Sequence, residues 1–373
     1  MKKTQLNLSL FFSLVLTLLI SAPSYSAGHN LEQSFGDLLQ QYGLPTETAT
    51  KTYEGQYGPY QIYNATAASP ASSLRPLSQD VRIGTYNILN LFEHLQNDQN
   101  NPTKNHERRL GNTAAIREMN ADFQLLVEVE NLAALQTFNK DYLNNDYVPF
   151  VIDGNDTRGI DVALLVKKNL RIEIEYRSHK NYAGKVFSRD SPVALIFDLD
   201  SNGKRAASPQ LAIMLVHQKS KRTDPDKEDQ TAQVRKAQAM ASIAIIDLIK
   251  AEFQNEFPVM IGGDFNTAVH TSAETRPYFD YGFKDSLDMI ANPLPQNQRD
   301  THYYFSPTGE MHAEQIDALL VFSENDIVTE AAIYQTRDKN GNAMPAPKSF
   351  EEREQRPSDH LPIGIEIQIN QKK

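Results

Sequence analysis

The sequence predicts an α/β fold in which a mixed β-sheet, or two sheets packed together, carries helices on the outside. Three observations lead there. Apolar runs of strand length recur along the chain: VRIGTYNILNLF, DFQLLVEVEN, GIDVALLVKK, SPVALIFDL, LAIMLVH, PVMIGGDFN and IDALLVF. Most are near-continuous, as in strands covered on both faces. Segments of helical spacing lie between some of them: RLGNTAAIREM, with Leu110, Ala114 and Met119 apolar, and the long run Asp229 to Phe253. Between Asp161 and Leu199, however, strands follow one another with no helix, which points to mixed pairing. GIEIQI, near the C-terminus, alternates like a half-buried strand.

The chain has 373 residues, 40% hydrophobic and 23% charged, as in globular proteins. Its net charge of −10 excludes a protein that grips nucleic acid through bulk positive charge. Lys2 and Lys3 precede the apolar LNLSLFFSLVLTLLI and the small-residue exit SAPSYSA. This order reads as a signal peptide over residues 1–26, cleaved near Ser26 or Ala27. The mature chain is then exported, periplasmic or extracellular, with no stable membrane association. It has no Cys, so its stability comes from core size and not from disulfides. Residues 27–80 read as an extension and linker, since Tyr63 to Asp80 is rich in Ala, Ser and Pro. The folded domain spans 81–373. NDQNNPTKNHERR within it reads as a long polar loop, and we expect a monomer.

Polar residues sit repeatedly at strand ends, where α/β folds assemble sites. VMIGGDFNT carries the sharpest example. Gly, Asp and Asn are ordinary turn formers, but Asp264 and Asn266 are two residues apart and share one side of an extended chain. TYNILN (Asn87), LLVEVEN (Glu128, Glu130), LVHQKSK (His217, Lys219), EQIDALL (Asp317) and RPSDHLP (Asp359, His360) follow the same pattern. Singly, each has a structural explanation: a capping Asn, an edge Glu, a core His, a loop. Their order along one chain is what carries weight.

That order resembles the endonuclease/exonuclease/phosphatase superfamily, in a bacterial exported-nuclease branch, from Val81 to about Ile367. GGDFN and SDHLP are the most specific matches; RGIDVALL, HQKSK and the Arg235 and Gln238 of QVRKAQA support them. Val127 stands where the family usually has Gln, and Gln218 where it more often has Leu. The resemblance implies a four-layer DNase I-like sandwich, two packed mixed β-sheets flanked by helices. It also implies hydrolysis of phosphodiesters in DNA, with RNA as a further substrate, by metal-assisted attack of water.

The chemistry needs a neutralised phosphate, an activated water and a stabilised leaving oxygen. Mg²⁺, or Mn²⁺ in its place, wants oxygen ligands, and the resemblance assigns Asn87, Glu128 and Asp359 to it. Asp264 then orients or deprotonates the water and Asn266 donates to a phosphate oxygen. Asp317 orients His360, and His217 contacts the phosphate or protonates the leaving oxygen. Arg158, Asp161, Arg189 and Lys219 are assigned to substrate binding. The glycines of GGDFN are expected to let the backbone approach phosphate and metal.

Weaker candidates follow. Asp224, Asp226, Glu228 and Asp229 could hold a structural Ca²⁺. His94 and His106 could touch substrate. Of Tyr303 and Tyr304, one should stack on a base and the other be core. The rival activity is a phosphatase or sphingomyelinase-like phosphodiesterase. The absence of Trp and of an obvious aromatic hairpin weighs against it.

Overall fold

The run Leu211–His217 shows how the architecture is built. Leu211, Ile213 and Leu215 pack into one hydrophobic cluster, while Ala212, Met214 and Val216 pack into a second on the opposite face. A strand covered on both faces needs apolar residues at every position, which is why the sequence runs without alternation. A computed structural model of the chain describes residues 50–77, 80–92, 102–221, 225–254 and 256–369.

In chain order, β1 (Thr50–Gly55) and β2 (Gly58–Asn64) form a hairpin and β3 (Asp80–Leu91) follows. Helix α1 (Pro102–Met119) leads to β4 (Phe123–Val129), and α2 (Leu132–Tyr142) to β5 (Tyr147–Val151) and β6 (Asp161–Lys167). Then come β7 (Ile172–Arg177), β8 (Val193–Asp198), β9 (Leu211–His217), the long α3 (Pro225–Phe253) and β10 (Val259–Asp264). Helix α4 (Arg276–Tyr281), β11 (Lys284–Asp285), α5 (Ser286–Met289) and the hairpin β12 (His302–Phe305) and β13 (Met311–Glu314) precede β14 (Asp317–Phe322). The chain ends through β15 (Val328–Ile333), α6 (Phe350–Glu354) and β16 (Ile363–Gln368).

Two mixed sheets result. One has eight strands in the order β1-β2-β7-β8-β9-β10-β14-β11, and the other six in the order β15-β16-β3-β4-β6-β5. The helix-free stretch after Asp161 is where the chain leaves the smaller sheet at β6 and enters the larger at β7. The largest cluster joins the inner faces of both sheets, with Ile83, Phe123, Leu125 and Leu164 on one side and Ile174, Ile213, Met260 and Leu319 on the other. The outer face of the larger sheet packs on α3 through Ala239, Ile245 and Ile249. The outer face of the smaller packs on α1 and α2 through Ile116, Leu135 and Phe138. The expected two-sheet sandwich with outer helices is what forms. Among the described residues no helix is long and apolar enough to cross a membrane.

Two boundaries differ from the sequence reading. Residues 50–64, placed in the extension, form β1 and β2 and add two strands to the sheet through β7. Their apolar content is low because β1 is an edge strand, half-buried at most, so hydrophobic patterning misses them. The polar run TKNHERR is the first half of α1, with Pro102 at its first position, where a missing N–H costs nothing. The proposed signal peptide and His94 lie outside the described residues.

Candidate active site

Parity places the site. Along β9, β10 and β14 the inward positions include His217 and Asp264, the last residues of β9 and β10, and Asp317, the first of antiparallel β14, and the three lie side by side: Asp264 is in register with His217 and with Asp317. On β3, Val81 and Ile83 face the inner core, and Asn87 has the same parity. Four polar side chains thus converge at one end of the seam between the sheets, the apolar residues of four strands having specified which way they point.

Glu128 breaks the pattern. Leu126 faces the outer cluster, so strict alternation would send Glu128 outward too. Instead the register slips: Val127 pairs with Val162 and Val129 with Asp161, leaving Glu128 as a bulged extra residue at φ 69°. Val129 takes the outward place and Glu128 turns to the site, its Oε2 accepting from the Asn90 N–H at 3.1 Å. Leu89 and Asn90, opposite, are also left-handed, at φ 56° and 58°, in a second irregularity between Asn87 and Leu91. A non-glycine residue in this region costs about 1–2 kcal/mol. We therefore expect Glu128→Gly to unfold at an equal or higher denaturant concentration than the wild type; a stability loss would show that the side chain supports the fold.

Asp264 is the hub. It is 2% exposed and accepts the Asn266 backbone N–H at 2.7 Å and the side-chain amides of Asn266 and Asn87 at 3.2 and 3.3 Å. Its Oδ2 lies 3.6 Å from His217 Nε2 and 3.9 Å from His360 Nε2. His360 Nδ1 meets Asp317 Oδ2 at 2.8 Å, and Asn87 Nδ2 lies 3.3 Å from its Nε2. Asn266, at φ 52°, also donates to the Gln218 carbonyl at 3.1 Å. Both Asp264 and Asn266, two residues apart, thus enter one network.

The titration states diverge. Burial raises the Asp264 carboxyl to about 7, with the His360 charge opposing and Asp317 reinforcing the rise. For His360 burial acts downward, but Asp317, Asp264 and Asp359 outweigh it and raise the imidazole to about 10. His217 is pushed well down by burial and by the charges of Arg189, Arg158 and His360. One histidine is therefore a cation and the other neutral at pH 7, a separation typical of paired acid and base roles. Burial acts to raise Asp359, yet His302, His360 and Arg353 hold it well below the usual carboxylate range. Glu128 is raised by burial and by the Asp359 charge.

A hard cation fits this donor set. Glu128 and Asp359 repel one another, and Asp359 Oδ1 is buried with no hydrogen-bond partner, so two carboxylate oxygens and the Asn87 amide offer an oxygen shell. Two tighter groups also exist among the described residues, His302 with Asp359 and His360, and Asp264 with Asp317 and His360.

His302 and Arg353 had no signal in the sequence. His302 sits on β12 with its ring 4.6 Å from that of His360, and Arg353 donates from α6 to Asp359 Oδ2 at 2.5 Å. Thr301 belongs with them: its hydroxyl accepts the Asp317 N–H at 3.0 Å and its carbonyl the Leu361 N–H at 2.6 Å, clamping both arms of the Asp317–His360 pair.

The remaining candidates separate. Arg189 is buried, donates to the Gln218 carbonyl at 3.0 Å and pairs with Asp156 at 3.0 Å; Arg158 is exposed beside the same Asp156. Both reach the site through their charge. Asp161, expected beside the phosphate, instead accepts the Gly154 N–H at 2.9 Å, and its contacts belong to the loop after β5. Lys219 is held by its backbone, its N–H to Gln238 and its carbonyl to Arg235. Of the acids considered for Ca²⁺, Glu228 is engaged by Arg235, and Asp224 lies outside the described residues. His106 is exposed on α1 against Tyr142. Tyr303 is core and Tyr304 exposed. The short β12–β13 hairpin carries exposed Tyr304 and Met311.

The glycines of GGDFN have another purpose than the one expected. A Cβ on Gly262 would meet Leu319 at 2.5 Å and Leu125, of the opposite sheet, at 2.7 Å. Gly263, at φ 140°, would drive a Cβ to 1.9 Å from the Val216 carbonyl. They serve sheet packing and not an approach to phosphate.

Two mixed sheets back to back, helices outside and a buried polar cluster at one end of the seam define a DNase I-like sandwich. The fold is that of endonuclease/exonuclease/phosphatase proteins. No family model matches the sequence, and no curated protein matches it; the likeness lies in structure. The chain is similar to truncated TDP2 from Caenorhabditis elegans, with 18% identity and a TM-score of 0.51 over 77% of this chain and 97% of that one. It is similar to an endonuclease/exonuclease/phosphatase family protein from Bacteroides thetaiotaomicron, at 14% identity and TM-score 0.51, over 79% of this chain and 96% of the other. A Bacteroides vulgatus counterpart gives 18% identity and TM-score 0.51 over 78% and 99%.

Proposed function

We propose that this protein is a metal-dependent phosphodiesterase that hydrolyses nucleic acid, DNA foremost. The observation that carries the reading is a buried carboxylate, Asp264, held among Asn87, His217 and Asn266 beside an Asp317–His360 pair. Asn87, Glu128 and Asp359 would hold the cation, Mg²⁺ or Mn²⁺, which supplies charge neutralisation at the phosphate. Asp264, raised towards neutrality, is suited to orient the attacking water and take its proton. The His360 imidazolium, fixed by Asp317, presents positive charge to the phosphate oxygens. Asn266 donates an amide to the same group, and neutral His217 exchanges a proton at Nε2. Arg158, Arg189 and Lys219 add positive potential along the bound strand. Export rests on the N-terminal Lys-Lys and apolar run alone.

Exposed Tyr304 and Met311 on the hairpin next to Asp359 favour a second reading, a lipid-directed phosphodiesterase on the same scaffold. Supercoiled plasmid, RNA, a phosphomonoester and sphingomyelin vesicles, each with Mg²⁺, Mn²⁺ or EDTA, separate the two. We expect plasmid relaxation and degradation with Mg²⁺ or Mn²⁺ and none with EDTA. Cleavage of sphingomyelin or the monoester alone would overturn the nuclease reading.

A further inference from the structure

A cavity of about 10 Å³ lies against His217, space for the centre of a single water molecule. Three of its lining residues carry buried polar atoms without a hydrogen-bond partner: His217 Nδ1, Gln218 Oε1 and Asp190 Oδ2. The other polar groups around it are engaged. Ser191 Oγ donates to the Leu215 carbonyl and Ser242 Oγ to that of Gln238, both at 2.9 Å, while Gln238 Oε1 accepts the Lys219 N–H. Buried polar groups in folded proteins are nearly always paired, and three orphans around one water-sized space need a shared partner.

We propose that one water fills this cavity and links Asp190 to His217, making Asp190 a positioning residue for that histidine. The donor count fixes the details. Gln218 gives its amide nitrogen to Tyr278 Oη at 2.8 Å, so what it has left to offer the cavity is an acceptor oxygen. Asp190 Oδ1 is held by the N–H groups of His179 and Ser191 at 2.9 and 2.7 Å, with the Ser178 hydroxyl nearby, so the carboxylate cannot swing. Both water protons then go to oxygens, and the water accepts from His217 Nδ1–H. Nδ1 keeps its proton, and Nε2, facing Asp264, is where a proton arrives and leaves. Gln218, a departure from the more usual Leu, thereby acquires a purpose. Only this use of Nε2 rests on the proposed activity; the tautomer does not.

The test is long-range ¹H–¹⁵N correlation at pH 8 on the full chain labelled with ¹⁵N-histidine, His217 being assigned by loss of its signals in His217→Gln. We expect a neutral ring protonated at Nδ1. In Asp190→Asn the new carbonyl keeps both backbone bonds and an NH₂ enters the cavity, so one water proton loses its acceptor and turns to Nδ1. The proton should move to Nε2, and kcat on plasmid should fall about 10- to 100-fold with KM little changed. A wild-type ring protonated at Nε2, or an unchanged tautomer in Asp190→Asn, overturns the proposal. If that variant does not fold, the wild-type spectrum decides. The expected spectra with no phosphodiesterase activity would count against the proposed function and leave the water link standing.

Discussion

Asp264→Asn should lower kcat by about 10²- to 10⁴-fold and flatten the dependence of stability on pH. The carboxyl is buried and raised to about 7, so its ionised form opposes folding: the native state binds more protons than the unfolded chain between its ordinary pKa near 4 and about 7, and stability falls as pH rises through that window. The amide is neutral and keeps an oxygen for the Asn266 N–H, but its NH₂ meets the side-chain amides of Asn266 and Asn87 that the carboxylate accepts, which costs stability at every pH. Between pH 4 and 7 its stability should therefore fall less steeply with rising pH than that of the wild type. Plasmid turnover and thermal melts across that window check both. Activity within tenfold of wild type would remove Asp264 from the proton-transfer role, and equal pH slopes would show that it is not the titrating group.

His360→Ala should have a comparable effect on kcat, about 10²- to 10⁴-fold, with a loss of stability. It leaves Asp317 buried without its partner, and breaking such a pair costs about 3–5 kcal/mol. The pH dependence identifies the cause. His360 titrates at about 10 in the fold against about 6.5 in a free chain. Its contribution is complete below pH 6.5 and is lost as pH rises towards 10, with a slope of at most about 1.4 kcal/mol per pH unit. Denaturation midpoints from pH 6 to 10 in EDTA should decline in the wild type, and less steeply in His360→Ala. Equal slopes would show that His360 is not the titrating group.

Much of this site is legible in the sequence because parity writes it there. His217, Asp264 and Asp317 each end a strand whose inward positions are already fixed by the core. Glu128 is not legible that way, since alternation assigns it to the helix side and only a bulge redirects it; family resemblance, not periodicity, named it. Thr301, His302 and Arg353 were missed because they reach Asp317, His360 and Asp359 through tertiary contacts that no local spacing encodes. Asp161 shows the converse: its motif matched, but its carboxylate is engaged by Gly154. At the chain level, β1 was lost for want of apolar residues and the start of α1 for its excess of polar ones.

Asn87 and Glu128 come from one sheet, and His217, Asp264 and Asp317 from the other. No single sheet owns the chemistry, so the alignment of the two is itself a kinetic parameter. A misplacement of 1 Å can cost on the order of 100-fold in rate. Substitutions deep in the seam, at Leu125 or Leu319 against Gly262, would then masquerade as active-site lesions in an assay while touching no catalytic group. For such variants turnover is a gauge of sheet alignment more sensitive than any melting curve.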